Sequence, residues 1–194
     1  MAFLPIYLYD HAVLRKKARA IKVPDAGLAQ LAADMLETMH NANGIGLAAN
    51  QVGLLQRIIV VDISGTEETP TTPPLAMINP EIISSDGAVI MEEGCLSIPE
   101  VRDEVERPEQ ITVRFRDLEF REQERTADGI LARVIQHEID HLDGVLFIDH
   151  IGSVRRKLLR GRLNKITKGE IEVDYPFVSN APEIVRNYSL AAKG

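Results

Sequence analysis

The sequence predicts an α+β fold, a single unit in which strands largely precede the principal helix. Three observations carry that prediction. A β-branched run, RIIVVDI (57–63), and an alternating run, ITVRFRD (111–117), both lie ahead of ADGILARVIQHEIDHL, the strongest helical stretch of the second half. Strand and helix therefore do not alternate as a doubly wound parallel sheet requires. At 194 residues the chain is long enough for one well-formed core, and it contains no internal repeat.

The elements follow in chain order. In MAFLPIYLYDHAVLRKKARAI the basic residues come after the short apolar run, the reverse of a signal peptide. No apolar stretch approaches the roughly 18 residues of a membrane span, so a soluble, cytoplasmic protein is expected. Asp25 is placed to cap a helix through GLAQLAADMLETMH, where Leu28, Leu31, Ala32, Met35 and Met39 form one apolar stripe. Asn43 and Gly44 are its stop signals. RIIVVDI reads as a buried strand, followed by a loop, SGTEETPTTPP. LAMI before Asn79-Pro80 reads as a second strand. In ITVRFRD, Ile111, Val113 and Phe115 alternate with polar partners as in a half-exposed strand. The HExxH-bearing helix is expected over 126–142, with Thr126 at its start, and a last helix over 151–168. The main domain is thus assigned to 1–168, and the aperiodic tail 169–194, with Pro176 and Pro182, to a C-terminal extension.

Charge and cysteine usage narrow the class. The net charge is −7, yet SVRRKLLRGRLNKITK (153–168) holds seven Arg or Lys and no acid. Taking those seven away leaves −14 on the remainder, an acidic body with one basic segment. Cys95 is the only cysteine, which excludes an internal disulfide framework and fits a reducing compartment.

The chemistry concentrates in QHEIDHLDG (136–144). Wrapped at 100° per residue, Ile130, Val134, His137 and His141 fall within about 60° of one another, on the inward stripe of the helix. Buried imidazoles need partners, and one metal ion satisfies two together. Glu138 is displaced by one position, where a general base stands beside a metal rather than ligating it. A third ligand is then required. His11, His40 and His150 lie in ordinary settings, and Asp140 points away from the His137/His141 face. Cys95, in MEEGCLSIPE, follows a glycine that permits close backbone approach and precedes a short strand-like segment ending at Pro99. A lone cysteine is most often a small buried hydrophobe; two inward histidines that need a third donor favour the ligand reading. Cys95, His137 and His141 make a three-ligand site with a fourth position open for water.

GIGLAANQ (44–51), EGCLS (93–97) and QHEIDHLDG (136–144) together resemble the three signature motifs of the peptide deformylase family, in order and spacing. The resemblance implies antiparallel sheets around a central HExxH helix. It implies removal of the N-formyl group from formyl-methionine on newly made polypeptides, releasing formate through a metal-bound hydroxide. It further implies that Cys95, His137 and His141 bind the metal and that Glu138 handles the proton as general base and acid. Gln51 and the backbone N–H of Leu96 would stabilise the oxyanion. Gly46 would line the substrate cleft, while Ile45 and Arg102 would contact the peptide. Fe(II) is the implied native ion, with nickel or cobalt as active substitutes. Zinc would be tightly bound but less active.

Two rival readings remain. A zinc peptidase of the HExxH type would need a downstream third ligand, and only His150 is on offer. A non-enzymatic chain with a structural metal would need a fourth protein ligand, and no second cysteine supplies one. The basic segment 153–168 reads either as a solvated helix face or, by resemblance, as a contact with ribosomal RNA. Arg133, one turn before His137, reads either as a stem laid along the methionine side-chain pocket with its head in solvent or as a surface arginine.

Overall fold

The hydrophobic pattern is satisfied by three sheets and three α-helices in a computed structural model that describes residues 3–65 and 73–180. In chain order these are β1 (Ile6–Tyr7), α1 (Leu28–Asn41), β2 (Gly46–Ala48), β3 (Ile58–Val61), β4 (Leu75–Asp86) and β5 (Val89–Cys95). Then follow β6 (Ile98–Arg107), β7 (Gln110–Arg116), β8 (Glu122–Asp128), α2 (Gly129–Leu142), α3 (Ser153–Thr167) and β9 (Phe177–Val178). An antiparallel sheet runs β2-β3-β4-β7-β8, a hairpin pairs β5 with β6, and β1 pairs with β9 in parallel. The α+β prediction holds, with strands preceding α2. Among the described residues no helix is long and apolar enough to cross a membrane.

Local chemistry explains where the elements begin and end. The stripe on α1 is buried at Leu28, Ala32, Met35 and Met39 against Leu47, Ile58 and Val60. Each leucine or methionine among them contributes about 1.5–3 kcal/mol of burial. Asn43, at φ 55°, stops the helix: its N–H donates to His40 O at 3.0 Å and the Gly44 N–H donates to Met39 O at 2.9 Å. The start departs from expectation. Gly27 is the capping residue, and the Asp25 carboxylate accepts from the Gly27 N–H at 2.9 Å, a local turn ahead of the helix rather than a cap on it.

Three other boundaries differ from the sequence prediction. Strand β4 does not stop at Asn79-Pro80. A bulge places Asn79 at φ 52° and shifts the register against β7 between Ile78 and Glu81, so Pro80 needs no ladder N–H there. The side chain of Asn79 also holds both backbone groups of Ile21, at 2.8 Å each. Pro99 likewise lies inside β6, beside Glu100 at φ 61°. Thr126 belongs to β8, which stays paired with β7 as far as Asp128; Gly129, at φ 51°, then turns the chain into α2. The other expected elements stand: Ile111, Val113 and Phe115 are the buried positions of β7, and α3 occupies 153–167.

Helix α2 sits at the centre of the molecule. Leu131, Ala132, Val134, Ile135, Ile139 and Leu142 pack with Ile59, Val61, Met77 and Val113 of the five-stranded sheet. This leaves the His137/His141 face turned toward the β5-β6 hairpin. Residues 171–178 run back over the body, burying Ile171, Tyr175 and Phe177. Pro182 and much of the loop after Gly65 lie outside the described residues.

Candidate metal centre

The site forms where the C-terminal half of α2, the end of β5 and the segment leading into β2 converge. The ligand atoms of Cys95, His137 and His141 lie within 4.8 Å of one another. Cys95 Sγ is 3.1 Å from His141 Nε2, and the two imidazole centroids are 5.0 Å apart. Donors on a tetrahedral ion at ligand distances of about 2.0–2.3 Å stand roughly 3.5 Å from one another. One thiol and two imidazoles at this spacing could together hold one divalent cation.

The surrounding groups fix how each donor is presented. His137 Nδ1 is 2.8 Å from Glu93 Oε2, so its N–H donates outward to the carboxylate and Nε2 faces the site. Glu93 is itself clamped: Arg107 Nε donates to it at 2.6 Å and Arg133 Nη1 at 2.8 Å. Burial pushes the Glu93 carboxyl upward, but the hydrogen bonds from His137 and Arg107 outweigh it and hold the group well below the usual carboxylate range. The Asn50 side-chain amide donates to the backbone carbonyl of His141, tying GIGLAANQ to the helix.

Protonation of the histidines is split. Burial lowers the His137 value, yet hydrogen bonds with Cys95 and Glu93 carry it well above that of an ordinary imidazole. Burial, then the neighbouring His137, drives His141 well below it. Two imidazoles this close do not both take up a proton. Glu138 is raised to about 7, first by burial, with His137 pulling the other way. Its Oε2 is buried without a hydrogen-bond partner among the described residues. A partnerless carboxylate oxygen beside three convergent donors suits a water held on a cation.

The opposite wall is built for donation. Gln51 Oε1 accepts the Ala48 N–H at 2.8 Å, which fixes the amide so that Nε2 points toward Ser97 Oγ at 3.2 Å and Cys95 Sγ at 3.6 Å. A cleft of about 600 Å³ opens beside the site. Gly44, Ile45 and Gly46 line it on one side, Leu96, Glu100 and Arg102 on another, and Ile130 and Val134 along α2.

Comparison with known proteins gives the lineage. The polypeptide deformylase family model matches residues 3–157. A peptide deformylase of Salinibacter ruber is 50% identical over 190 residues, covering 94% of this chain and 97% of that protein. Among solved structures, a peptide deformylase from Legionella pneumophila gives a TM-score of 0.80 at 39% identity, covering 87% of this chain and 98% of its own. One from Synechococcus elongatus, solved in complex with actinonin, gives 0.74 at 42% identity, covering 90% and 92%.

The chain belongs to the peptide deformylase family.

Deformylases are metalloenzymes that act on nascent peptides, and this chain is an enzyme of that type. Against that background, Cys95, His137, His141, Glu138, Gln51, Leu96, Ile45, Gly46 and Arg102 all border the one cleft or its floor. Arg102 is the outlying member: its side chain is 69% exposed, with Glu92 3.5 Å away. His150 is elsewhere, bound through Nε2 to Asp140 at 2.7 Å, so the donor group contains no downstream histidine. Arg133 corrects the sequence reading. Its head is buried rather than solvated, held by Glu93, Val105 O and Val89 O. Sequence reasoning also missed Glu93, Asn50 and Ser97, although each stands inside a deformylase motif. Tyr175, Val173 and Asp174 line the cleft from the tail, where no motif announced them.

Proposed function

We propose that the protein hydrolyses the formyl amide of N-formyl-methionyl nascent peptides, with Cys95, His137 and His141 holding one divalent metal ion. The observation that carries this reading is the donor triangle with the partnerless Glu138 Oε2 beside it. When bound, the ion would polarise the formyl oxygen and lower the pKa of a water at the open position. Glu138 takes the proton of the attacking water and returns it to the departing amine nitrogen as the C–N bond breaks and formate leaves. Gln51 Nε2 and the Leu96 N–H donate to the formyl oxygen as it gains negative charge, each worth about 3 kcal/mol by analogy with other oxyanion donors. Gly46 leaves room for the reacting group, while Ile45 and Arg102 contact the peptide beyond it. Fe(II) is the native ion in this reading, with nickel or cobalt as active replacements and zinc as a tight but less active occupant.

The basic helix α3 extends the proposal to a partner. Arg156, Lys157 and Arg160 surround a shallow surface cleft of about 310 Å³ together with Tyr9 and Asn164. In this reading they contact phosphates of ribosomal RNA near the point where the nascent chain emerges.

The test is formate release. Protein purified anaerobically with Fe(II) should release formate from a short formyl-methionyl peptide and leave the acetylated peptide intact. Absence of release with bound iron, nickel and cobalt alike would sink the reading.

A further inference from the structure

The tip of the β5-β6 hairpin, Leu96-Ser97, lies between the paired residues Cys95 and Ile98 and so outside the ladder. Its carbonyls must find partners elsewhere. The Leu96 carbonyl accepts from the Tyr175 hydroxyl at 2.7 Å, and the Ser97 carbonyl accepts from the Tyr9 N–H at 2.7 Å. Tyr9 directly follows the segment paired with β9, where the Ile6 and Leu8 N–H groups donate to Pro176 O and Val178 O at 2.9 Å each. The tail therefore grips the tip twice, directly through Tyr175 and indirectly through the N-terminal strand. Tyr175 is buried at 7% exposure and packs with Ile6 and Ala42, the latter just ahead of the glycines that border the cleft. The family match ends at residue 157, so this grip comes from chain beyond it.

We propose that residues 171–178 are a working part of the active site and that Tyr175 is a positioning residue for the oxyanion wall of the cleft. This rests on the deformylation reading, in which the Leu96 N–H is an oxyanion donor. Peptide units are rigid planes joined by two soft torsions, so anchoring the Leu96 carbonyl limits rotation about Leu96 and with it the aim of its N–H. Catalysis is sensitive to small misplacements of such a donor. Tyr175 touches no reacting atom; it acts through Leu96.

The experiment compares Tyr175→Phe with wild type as full-length, metal-loaded protein. Expected for Y175F are a roughly tenfold lower kcat with KM within about twofold, unchanged metal content, and faster amide hydrogen exchange at Leu96 and Ser97. Unchanged kcat, or a loss expressed only in KM, would overturn the proposal. So would a Y175F chain that does not fold, because removing one hydroxyl should leave the framework standing if its role is positional. Wild type that releases no formate would instead defeat the deformylation reading, and the exchange comparison tests the Tyr175 contact without turnover.

Discussion

At Gly46 a built Cβ would stand 2.5 Å from Glu138 Oε1 and 2.6 Å from Val134 Cγ1, so the backbone approaches the carboxylate as only glycine allows. Gly46→Ala should displace Glu138 and overpack α2. Formate release should be nearly lost, and urea denaturation should read about 1–3 kcal/mol less stability; a variant with wild-type kcat would refute that geometry. Glu138→Gln keeps the shape and removes the carboxylate proposed to carry the proton, and should lower kcat by about 10²–10⁴-fold with metal content intact. Cys95→Ser replaces a soft thiolate by a hydroxyl and should leave purified protein largely metal-free, as metal analysis would show. Glu93 marks where the sequence stopped being legible. Glu92 and Glu93 are equivalent as letters, yet strand alternation leaves one side chain 62% exposed and the other 3%. Only the fold tells which glutamate orients His137.

Among elements, α3 shows how the periphery is fastened. Asp103, on β6, has a side chain 5% exposed and accepts from Arg155 Nη2 at 2.7 Å and Nε at 3.1 Å. The Arg155 hydrogen bonds hold the Asp103 carboxyl below its ordinary value of 3.8. A lowered folded-state pKa stabilises the native protein above about pH 4, and that contribution disappears as pH falls through the folded value. Asp103→Asn should therefore cost about 1 kcal/mol at pH 7, discounted because Arg155 is 62% exposed, and less at pH 3, where the unfolded carboxyl is already largely protonated. Urea midpoints at the two pH values check it; a pH-independent difference would mean the ion pair is not the cause. Elements with strong period, such as α1, α2 and β7, were legible because burial follows spacing directly. The β5-β6 hairpin was not, since Glu93, Asp103 and Arg107 put charged side chains at buried positions and break the apolar alternation that announces strands, Glu93 and Arg107 forming the clamp on His137.

At the scale of the whole molecule, the charge asymmetry visible in the sequence becomes a spatial one. Lys157, Arg160 and Arg162 are exposed on α3, whereas Leu163 and Ile166 on the same helix are buried with Leu14, Phe147 and Phe177. Deleting the helix would therefore strip the core along with the charge and could not test what the charge does. A triple change of Lys157, Arg160 and Arg162 to glutamine isolates the electrostatic part. If α3 lies against RNA phosphates, the variant should bind ribosomes more weakly, and the slope of log affinity against log salt should flatten by roughly one for each phosphate no longer neutralised. Formate release from a free peptide should stay at the wild-type level, because none of the three residues borders the catalytic cleft. An unchanged salt slope would identify the basic residues of α3 as a solvated face on a packing helix, and the acidic remainder of the chain would then have no anionic partner to avoid.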